Sequence, residues 1–302
     1  MRQLIARLLA GLLLGTLTWF VQAADLALTP TARACELIGT RLQSVQTSRC
    51  LDADLQTNGG TSLQGFPLLY RDYLPGRSRR TPYRVMLVGG IHGDELTSVS
   101  IVFGWMDKLA KERLQPFHWR VIPSLNPDGL LKRPSSRQNA AGVDLNRNFP
   151  TANWDAEALD DWVNKAYRDP RRYPGPRSLS EPESRWLVRQ IRDFQPDALI
   201  TIHAPLGILD YDGPLEPPQR FGFLRLQPIG IYPGSLGNYV GVDLRIPTIT
   251  LELPYAGLMP TAAQSQRIWA DMLTWLELKL PQAEAPLYRR PTDTAWQLPQ
   301  FD

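Results

Sequence analysis

The sequence predicts an α/β fold: a single domain whose central sheet is mixed, mostly parallel, and covered by helices on both faces. Short apolar runs of strand length alternate with longer segments whose apolar residues recur at helical spacing. The composition, 43% hydrophobic and 21% charged, is that of an ordinary globular protein. A chain of 302 residues is long enough for one large domain of this class.

The first half of the chain alternates in this way from residue 66 onward. Residues 25–62 are polar and mixed, which predicts an N-terminal helix with loops. The hydrophobic pattern then predicts strands and one helix, in the order strand 66–73, strand 83–90, helix 95–111 and strand 118–125. The turn formers of 126–129 follow the last of these strands.

The second half continues the alternation around two long irregular segments. A helix is predicted from Ser180, as its cap, to about residue 194 because proline and acids occupy its first turn. Strands at 197–203 and 247–253 and an apolar-striped helix at 261–280 follow. We expect residues 150–180 and 204–245 to be irregular, and long irregular segments in a compact domain commonly form functional rims or lids.

The N-terminus carries an apolar run over residues 4–21, after Arg2. Val21 and Ala23 stand at the −3 and −1 positions that signal peptidase prefers, so residues 1–23 are predicted to be a secretory signal. An uncleaved membrane anchor is the alternative, because the run approaches the length of a span. The prediction is a periplasmic or secreted domain over 24–281, away from the membrane after signal removal, with a Pro-rich tail over 282–302.

Charge and cysteine content restrict the function further. The formal net charge is +3, and it becomes +1 when the signal is removed with Arg2 and Arg7. That balance predicts no nucleic-acid partner, which would require a clustered basic surface. Cys35 and Cys50 are the only cysteines, and export predicts that they form a disulfide. Two buried free thiols are the alternative.

Three polar residues in two motifs have the composition of a zinc site. His92 and Glu95 are three residues apart, on the same side of a helical turn, directly after an apolar run. His203 ends the apolar run 199–203, and open α/β sheets place functional groups at the carboxyl ends of strands. A hydrolytic zinc ion is typically bound by three protein ligands, such as two histidine nitrogens and one carboxylate, and its fourth coordination position stays open for water or substrate.

Two further motifs contribute groups suited to hydrolysis of a substrate that carries an anion. Glu252 lies inside the apolar run 248–253. Burying a carboxylate there costs free energy unless it has a partner or a catalytic role, so Glu252 is a candidate general base. Asn146 and Arg147 stand side by side among apolar residues. This pair favours recognition of a carboxylate, because arginine binds that group through two hydrogen bonds.

The order of the motifs HxxE, NPDG, GVDLNRN, a later His and TLEL resembles that of the zinc carboxypeptidases of the M14 (carboxypeptidase A-like) family. The resemblance covers roughly residues 83–254. The short chain and the motif PGSLG at 233–237 are most similar to the bacterial murein peptide amidases of that family, which act on cell-wall peptides.

The resemblance implies one zinc ion per chain and a role for each matching residue. His92, Glu95 and His203 would bind zinc, Glu252 would be the general base, and Asn146 and Arg147 would hold the free carboxylate of the substrate. Arg137, or Arg133 as the alternative, would stabilise the oxyanion. Asp144 would orient a zinc-bound histidine. Tyr232 is the nearest match to the family's mobile tyrosine, although its distance from the next Gly-Ser pair differs.

The resemblance also locates the position that sets side-chain specificity near residues 236–239, where the sequence has no aspartate of the kind that binds basic side chains. The predicted function is an exported zinc carboxypeptidase acting on peptides with a free C-terminal carboxylate, in particular peptidoglycan stem peptides. The alternatives are a zinc deacylase of the succinylglutamate desuccinylase/aspartoacylase type and a non-catalytic peptide-binding protein. His118 is left without a role.

Overall fold

The computed structural model of the protein describes residues 28–76, 82–112 and 115–282. The predicted signal 1–23 and all of the predicted tail 282–302 except its first residue lie outside these ranges. In chain order, the helices are α1 Pro30–Arg41, α2 Thr47–Asp52, α3 Leu96–Lys111, α4 Pro127–Leu131, α5 Trp154–Asn164, α6 Pro182–Phe194 and α7 Ala262–Lys279. The strands are β1 Arg71–Tyr73, β2 Arg84–Val88, β3 His118–Ile122, β4 Ala198–His203, β5 Leu209–Asp212, β6 Arg220–Phe221, β7 Leu224–Arg225 and β8 Thr248–Glu252.

Six of these strands form the central sheet, in the order β1-β3-β2-β4-β8-β5. The four inner strands are mutually parallel, whereas β1 and β5 run antiparallel at the two edges. The sheet is therefore mixed and mostly parallel, which confirms the fold class predicted from the sequence. The strands β6 and β7 form a separate two-stranded sheet.

Both faces of the sheet are buried, because successive side chains of a strand point to opposite faces. Val85 and Leu87 of β2 belong to one core, together with apolar residues of α1, α3 and α7. Met86 and Val88 belong to the other core, which α6 and the π-helical segment Gly237–Asp243 cover. Burial on both sides explains why the inner strands are nearly continuous apolar runs in the sequence.

The two segments predicted to be irregular contain regular elements, and that part of the prediction is wrong. Helix α5 lies within 150–180, where many charged residues conceal the few apolar positions that face inward, Trp154 and Ala158. Strands β5 to β7 and the segment Gly237–Asp243 lie within 204–245. Strands of two to four residues are too short to produce a recognisable period.

Two element boundaries also differ from the prediction. Glu181, not Ser180, is the N-terminal cap of α6, and the Ser180 hydroxyl donates to the Glu181 carboxylate instead. The strand predicted at 66–73 is shortened to β1, because Pro67 and Tyr70 form only isolated bridges. Both differences arise from side-chain and loop contacts that the local sequence pattern does not encode.

A disulfide joins Cys35 of α1 to Cys50 of α2, and both residues are fully buried. It closes a short loop, and both cysteines belong to the core that α3 and α7 also cover. Among the residues that the structure describes, no helix combines the length and the apolar character needed to cross a bilayer.

Reducing the disulfide is expected to lower the free energy of unfolding by about 3 kcal/mol, the entropy that a cross-link over a loop of this length removes from the unfolded chain. Urea unfolding with and without dithiothreitol measures the difference. A variant carrying both Cys35→Ala and Cys50→Ala is the control, since reductant should not change its unfolding. Equal unfolding midpoints for the oxidised and reduced wild-type protein would contradict this prediction.

Candidate metal centre and active site

The carboxyl ends of three neighbouring parallel strands bring the chemically active side chains together. His203 ends β4 and lies directly opposite Glu252, which ends β8. His92 and Glu95 occupy the loop between β2 and α3, at the same edge of the sheet. Gly93 lies so close to the backbone of α4 that a Cβ at this position would overlap it, so the loop requires glycine there.

His92, Glu95 and His203 form the one group of potential metal ligands found among the described residues, and all three are buried. The Nδ1 atom of His203 lies 3.1 Å from both the Nδ1 atom of His92 and the Oε2 atom of Glu95. The Nδ1 atom of His92 is 2.8 Å from the Oε1 atom of Glu95. Tetrahedral ligands about 2.1 Å from zinc lie roughly 3.4 Å apart, so these side chains fit that ion.

Neighbouring polar atoms orient both histidine rings toward the common centre. The Nε2 atom of His92 lies 3.0 Å from the Oδ1 atom of Asp144, and the Nε2 atom of His203 lies 3.1 Å from the Thr201 hydroxyl. A hydrogen bond from Nε2 leaves the lone pair of Nδ1 for a metal. Asp144 therefore occupies the orienting position that the resemblance implied for it.

Asp144 also holds Arg137, whose Nε and Nη2 atoms each lie 3.0 Å from its Oδ2 atom. Burial opposes ionisation of Asp144, but Arg137 and His92 outweigh it and hold the pKa of this carboxyl well below its usual range. Burial likewise opposes ionisation of Glu95, and the two histidines lower its pKa. Both carboxylates are therefore anionic at neutral pH, as a cationic metal requires.

Glu252 lies beside the ligand cluster and makes few hydrogen bonds. It is 9% exposed, and its Oε2 atom accepts from the backbone N–H of Leu206 at 3.4 Å. Burial raises the pKa of its carboxyl, a change that His203 opposes and Glu95 reinforces. A carboxylate with a raised pKa next to a metal site is suited to accept and return a proton.

Asn146 and Arg147 lie in a 3₁₀ turn that Asp144 caps. The Asn146 Oδ1 atom accepts from the backbone N–H of Leu236, which directs its amide group, and Arg147 lies 4.3 Å from the ring centre of Tyr232. Arg147 forms no ion pair with a carboxylate of the described residues. A partly buried guanidinium without a counter-ion is a strong site for a ligand carboxylate.

Arg133 and His118, which the sequence left as an alternative and without a role, lie away from the metal centre. Arg133, the alternative to Arg137, is exposed and does not line the cavity above the ligand cluster. His118 begins β3 and packs edge-on against Phe194, with its pKa lowered mainly by burial. The structure therefore favours Arg137 for contact with a reacting group and gives His118 a packing role.

A cavity of about 320 Å³ opens above the metal ligands, and Asn146, Arg147 and Tyr232 also line it. Sequence reasoning missed five charged residues that reach this cavity from the segments predicted to be irregular: Asp169, Arg171, Arg172, Asp210 and Asp212. The alternation of Asp210 and Asp212 along a short polar strand was the signal that could have identified two of them.

Comparison with known proteins identifies the family. The family model described as zinc carboxypeptidase (M14 peptidases) matches residues 54–211. The chain belongs to this family. Murein peptide amidase A of Escherichia coli K12 is 32% identical over 223 residues, which are 72% of this chain and 88% of that protein. Carboxypeptidase N catalytic chain of Rattus norvegicus is 28% identical and aligned over 54% of this chain and 40% of its own.

Solved structures agree with this assignment. Murein-tripeptide amidase MpaA from Escherichia coli O157 superposes with a TM-score of 0.50 at 29% identity, covering 72% of this chain and 90% of that one. Bovine thrombin-activatable fibrinolysis inhibitor, at 18% identity, shares the fold with a TM-score of 0.57, covering 80% of this chain and 94% of its own. Family membership and the His-Glu-His group together make this protein a zinc-dependent peptide hydrolase, of the metallocarboxypeptidase or amidase type.

Substituting Asp144→Asn is expected to weaken zinc binding by about 10- to 100-fold, because His92 loses the carboxylate that orients its ring. Competition with a chromophoric chelator measures the affinity. Asp94→Asn is the matched control, since Asp94 lies in the same loop as His92 but pairs with Arg171 at 2.8 Å. Unchanged zinc affinity in the Asp144 variant would refute the orienting role.

Proposed function

We propose that this protein is an exported zinc carboxypeptidase that releases the C-terminal residue of peptidoglycan stem peptides. The observation that carries the proposal is the placement of Arg147, without a carboxylate partner among the described residues, in the same cavity as the metal ligands and Glu252. A cationic group at a fixed place beside the hydrolytic centre selects peptides that end in a free carboxylate. The murein peptide amidases among its relatives support a cell-wall substrate.

In this proposal Asn146 and Arg147 form a carboxylate clamp, and the position of this clamp determines which peptide bond is cleaved. Arg147 and the amide of Asn146 bind the terminal carboxylate and place the last peptide bond at the metal centre. The cation–π contact between Arg147 and Tyr232 steadies the guanidinium, and Tyr232 closes one side of the cavity. A substrate whose terminus is amidated lacks the anion and would bind poorly.

The hydrolytic step follows from the groups around the bound peptide bond. His92, Glu95 and His203 would hold the zinc ion, which would supply Lewis acidity and make a water easier to deprotonate. Glu252 accepts a proton from the attacking water and then delivers it to the leaving nitrogen. Arg137 donates hydrogen bonds to the oxygen that gains negative charge, as preorganised donors do in other acyl-transfer enzymes.

Export is the second part of the proposal, because peptidoglycan lies outside the cytoplasm. The apolar N-terminal run followed by Val21 and Ala23 supports a cleavable signal over 1–23. The disulfide between Cys35 and Cys50 is also typical of an oxidising compartment. We accordingly propose a mature zinc carboxypeptidase domain over 24–281, followed by a short tail.

Digestion of a peptide panel tests the activity directly. We expect the zinc-loaded mature protein to remove one C-terminal residue from free peptides and from peptidoglycan stem peptides, and to leave amidated versions intact. Glu252→Gln should lower kcat by about 10²- to 10⁴-fold, the usual contribution of a general base, while zinc remains bound. Mass spectrometry identifies the released residue.

A different result would change the assignment. Hydrolysis of N-acyl amino acids without cleavage of any peptide would favour the deacylase alternative. Calorimetric binding of peptides to the zinc protein without turnover would favour the non-catalytic alternative. Either outcome overturns the proposed function, provided that metal analysis shows zinc in the protein.

Arg147→Met is expected to lower kcat/KM for free peptides by about 100-fold, because truncating one partner of a buried charge pair commonly costs 2–5 kcal/mol. The loss should be much smaller for amidated peptides, which have no anion to bind. Arg133→Met is the matched control, since Arg133 is exposed and outside the cavity. Equal losses on free and amidated peptides would exclude a carboxylate clamp.

A further inference from the structure

The side-chain amide of Asn126 lies between the loop that carries Arg137 and the loop between β2 and α3 that carries His92 (the metal loop). Asn126 is the N-terminal cap of α4, where its Oδ1 atom accepts from the backbone N–H of Gly129 at 2.8 Å. Its Nδ2 atom donates to the carbonyl oxygen of Ile91 at 3.3 Å and to that of Arg137 at 3.1 Å. Because Ile91 directly precedes His92, one amide group joins both loops.

The hydrogen-bonding groups of this amide are all used, and their arrangement determines its orientation. Asn126 is completely buried, and the two N–H groups of its side chain face two carbonyl acceptors. The reversed amide would place an oxygen against those two carbonyl oxygens and an NH2 group against the N–H of Gly129, which is unfavourable. The observed orientation therefore fixes the distance between the two backbone segments that the amide joins.

Gly129 allows the chain after α4 to fold back onto this amide. A Cβ at residue 129 would lie 2.6 Å from the Nδ2 atom of Asn126, 2.6 Å from the carbonyl oxygen of Ser136 and 2.7 Å from that of Gln138. Any side chain would therefore displace either the amide or the backbone on both sides of Arg137. Asn126 and Gly129 are the first and last residues of the NPDG motif, so this motif controls where the backbone of Arg137 lies.

Backbone hydrogen bonds hold the metal loop in place independently of the side-chain amide. The N–H groups of Leu125 and Asn126 donate to the carbonyl oxygens of Gly89 and Gly90 at 3.1 and 2.9 Å, respectively. These two bonds do not involve the side chain of Asn126 and would remain if that side chain were shortened. Loss of the amide should therefore release the backbone of Arg137 and leave the metal loop where it is.

Two carboxylates hold the guanidinium at the other end of Arg137. Its Nε and Nη2 atoms each lie 3.0 Å from the Oδ2 atom of Asp144, and its Nη1 atom lies 3.6 Å from the Oε1 atom of Glu95. The guanidinium is thus held at the side chain by the carboxylates and at the backbone by Asn126. Both attachments matter for catalysis, because a misplacement of about 1 Å can cost a reaction about 100-fold in rate.

We propose that Asn126 is a positioning residue: its side-chain amide sets the distance between the metal loop and Arg137, so that the guanidinium reaches the substrate oxygen that gains negative charge. The inference rests on the proposed function, in which Arg137 stabilises that oxygen. Asn126 does not line the cavity and acts through Arg137. Its effect falls on the transition state more than on peptide binding, because Asn146 and Arg147 lie on a separate turn.

The variants Asn126→Ser and Asn126→Asp test this role, because both keep an oxygen that can cap α4 and both lack the side-chain NH2 group. We expect each to lower kcat for a cleaved peptide by about 10- to 100-fold, and to change KM and zinc affinity by less than about threefold. Gln115→Glu is the matched control and should leave kcat unchanged. The buried amide of Gln115 also donates to a backbone carbonyl, that of Leu74 at 2.8 Å, but it lies outside the cavity.

Binding of a phosphonate analogue of the substrate separates positioning from a general loss of structure. Its tetrahedral anionic group imitates the charged oxygen, so both Asn126 variants should bind it at least about tenfold more weakly in calorimetry. Their affinity for an intact peptide, measured with Glu252→Gln added, should stay at the level of Glu252→Gln alone. Equal weakening for both ligands, or unchanged kcat in both variants, would overturn the inference. Cleavage of no peptide by the wild-type enzyme would instead overturn the proposed function.

A double-mutant cycle tests whether Asn126 acts through Arg137. Arg137→Met should lower kcat by about 100- to 1000-fold, the usual loss when one donor to an oxyanion is removed. Adding Asn126→Ser to that variant should lower kcat by less than about threefold further, because the effects of coupled residues are not additive. Fully additive losses would show that Asn126 acts by another route and would overturn the inference.

A measurement on the wild-type protein keeps the inference testable if both Asn126 variants fold poorly. NMR of the zinc-loaded protein with isotope-labelled asparagine detects the side-chain NH2 groups, and that of Asn126 is assigned through its contact with the α-protons of Gly129. Its two protons should exchange slowly with water, and their chemical shifts should change when the phosphonate analogue binds to Arg137. Fast exchange, or shifts that the analogue leaves unchanged, would contradict the positioning role.

Discussion

The buried carboxylate of Asp144 is the interaction on which the active site depends. Its Oδ1 atom lies 3.0 Å from the Nε2 atom of His92 and accepts from the backbone N–H of Asn146 at 3.0 Å, while its Oδ2 atom accepts from Arg137. One fully buried anion thus contacts the ring of His92, holds Arg137 and caps the turn that carries Asn146 and Arg147. Removing it would leave the Arg137 guanidinium without its nearest carboxylate and the His92 ring without the acceptor of its Nε2 hydrogen, which is why a small loop can control the whole centre.

The sheet supplies the second constraint, because it sets the distances between groups that are far apart in sequence. Parallel strands β4 and β8 place His203 opposite Glu252, and the antiparallel edge strand β5 continues the same polar face as far as Asp212. The side chains of His203, Glu252 and the two aspartates of β5 therefore lie at spacings that backbone hydrogen bonds fix. A rigid sheet offers more accurate placement than loops, as catalysis at a single bond requires.

Much of this arrangement can be predicted from local sequence. His92 and Glu95 follow an apolar strand at the spacing of a helical turn, His203 ends another strand, and Glu252 interrupts an apolar run. Each signal is local because a buried polar residue stands out against an apolar neighbourhood. Helix α5 and strand β5 could not be predicted in the same way, since a charged helix and a four-residue strand have no clear hydrophobic period.

The sequence by itself determined the fold class and the His-Glu-His group of potential metal ligands, because strand periodicity and isolated polar residues are properties of neighbouring positions. For the same reason it marked Glu252, Asn146 and Arg147 as candidates for the base and the carboxylate clamp. Only the tertiary structure decided which charges remain without partners. Arg137 and Arg171 pair with carboxylates at 3.0 and 2.8 Å, whereas Arg147 and Asp212 have no partner of opposite charge among the described residues. Ion pairing depends on distances in space, and the antiparallel return of β5, which no local pattern encodes, brings the acid to Gly237.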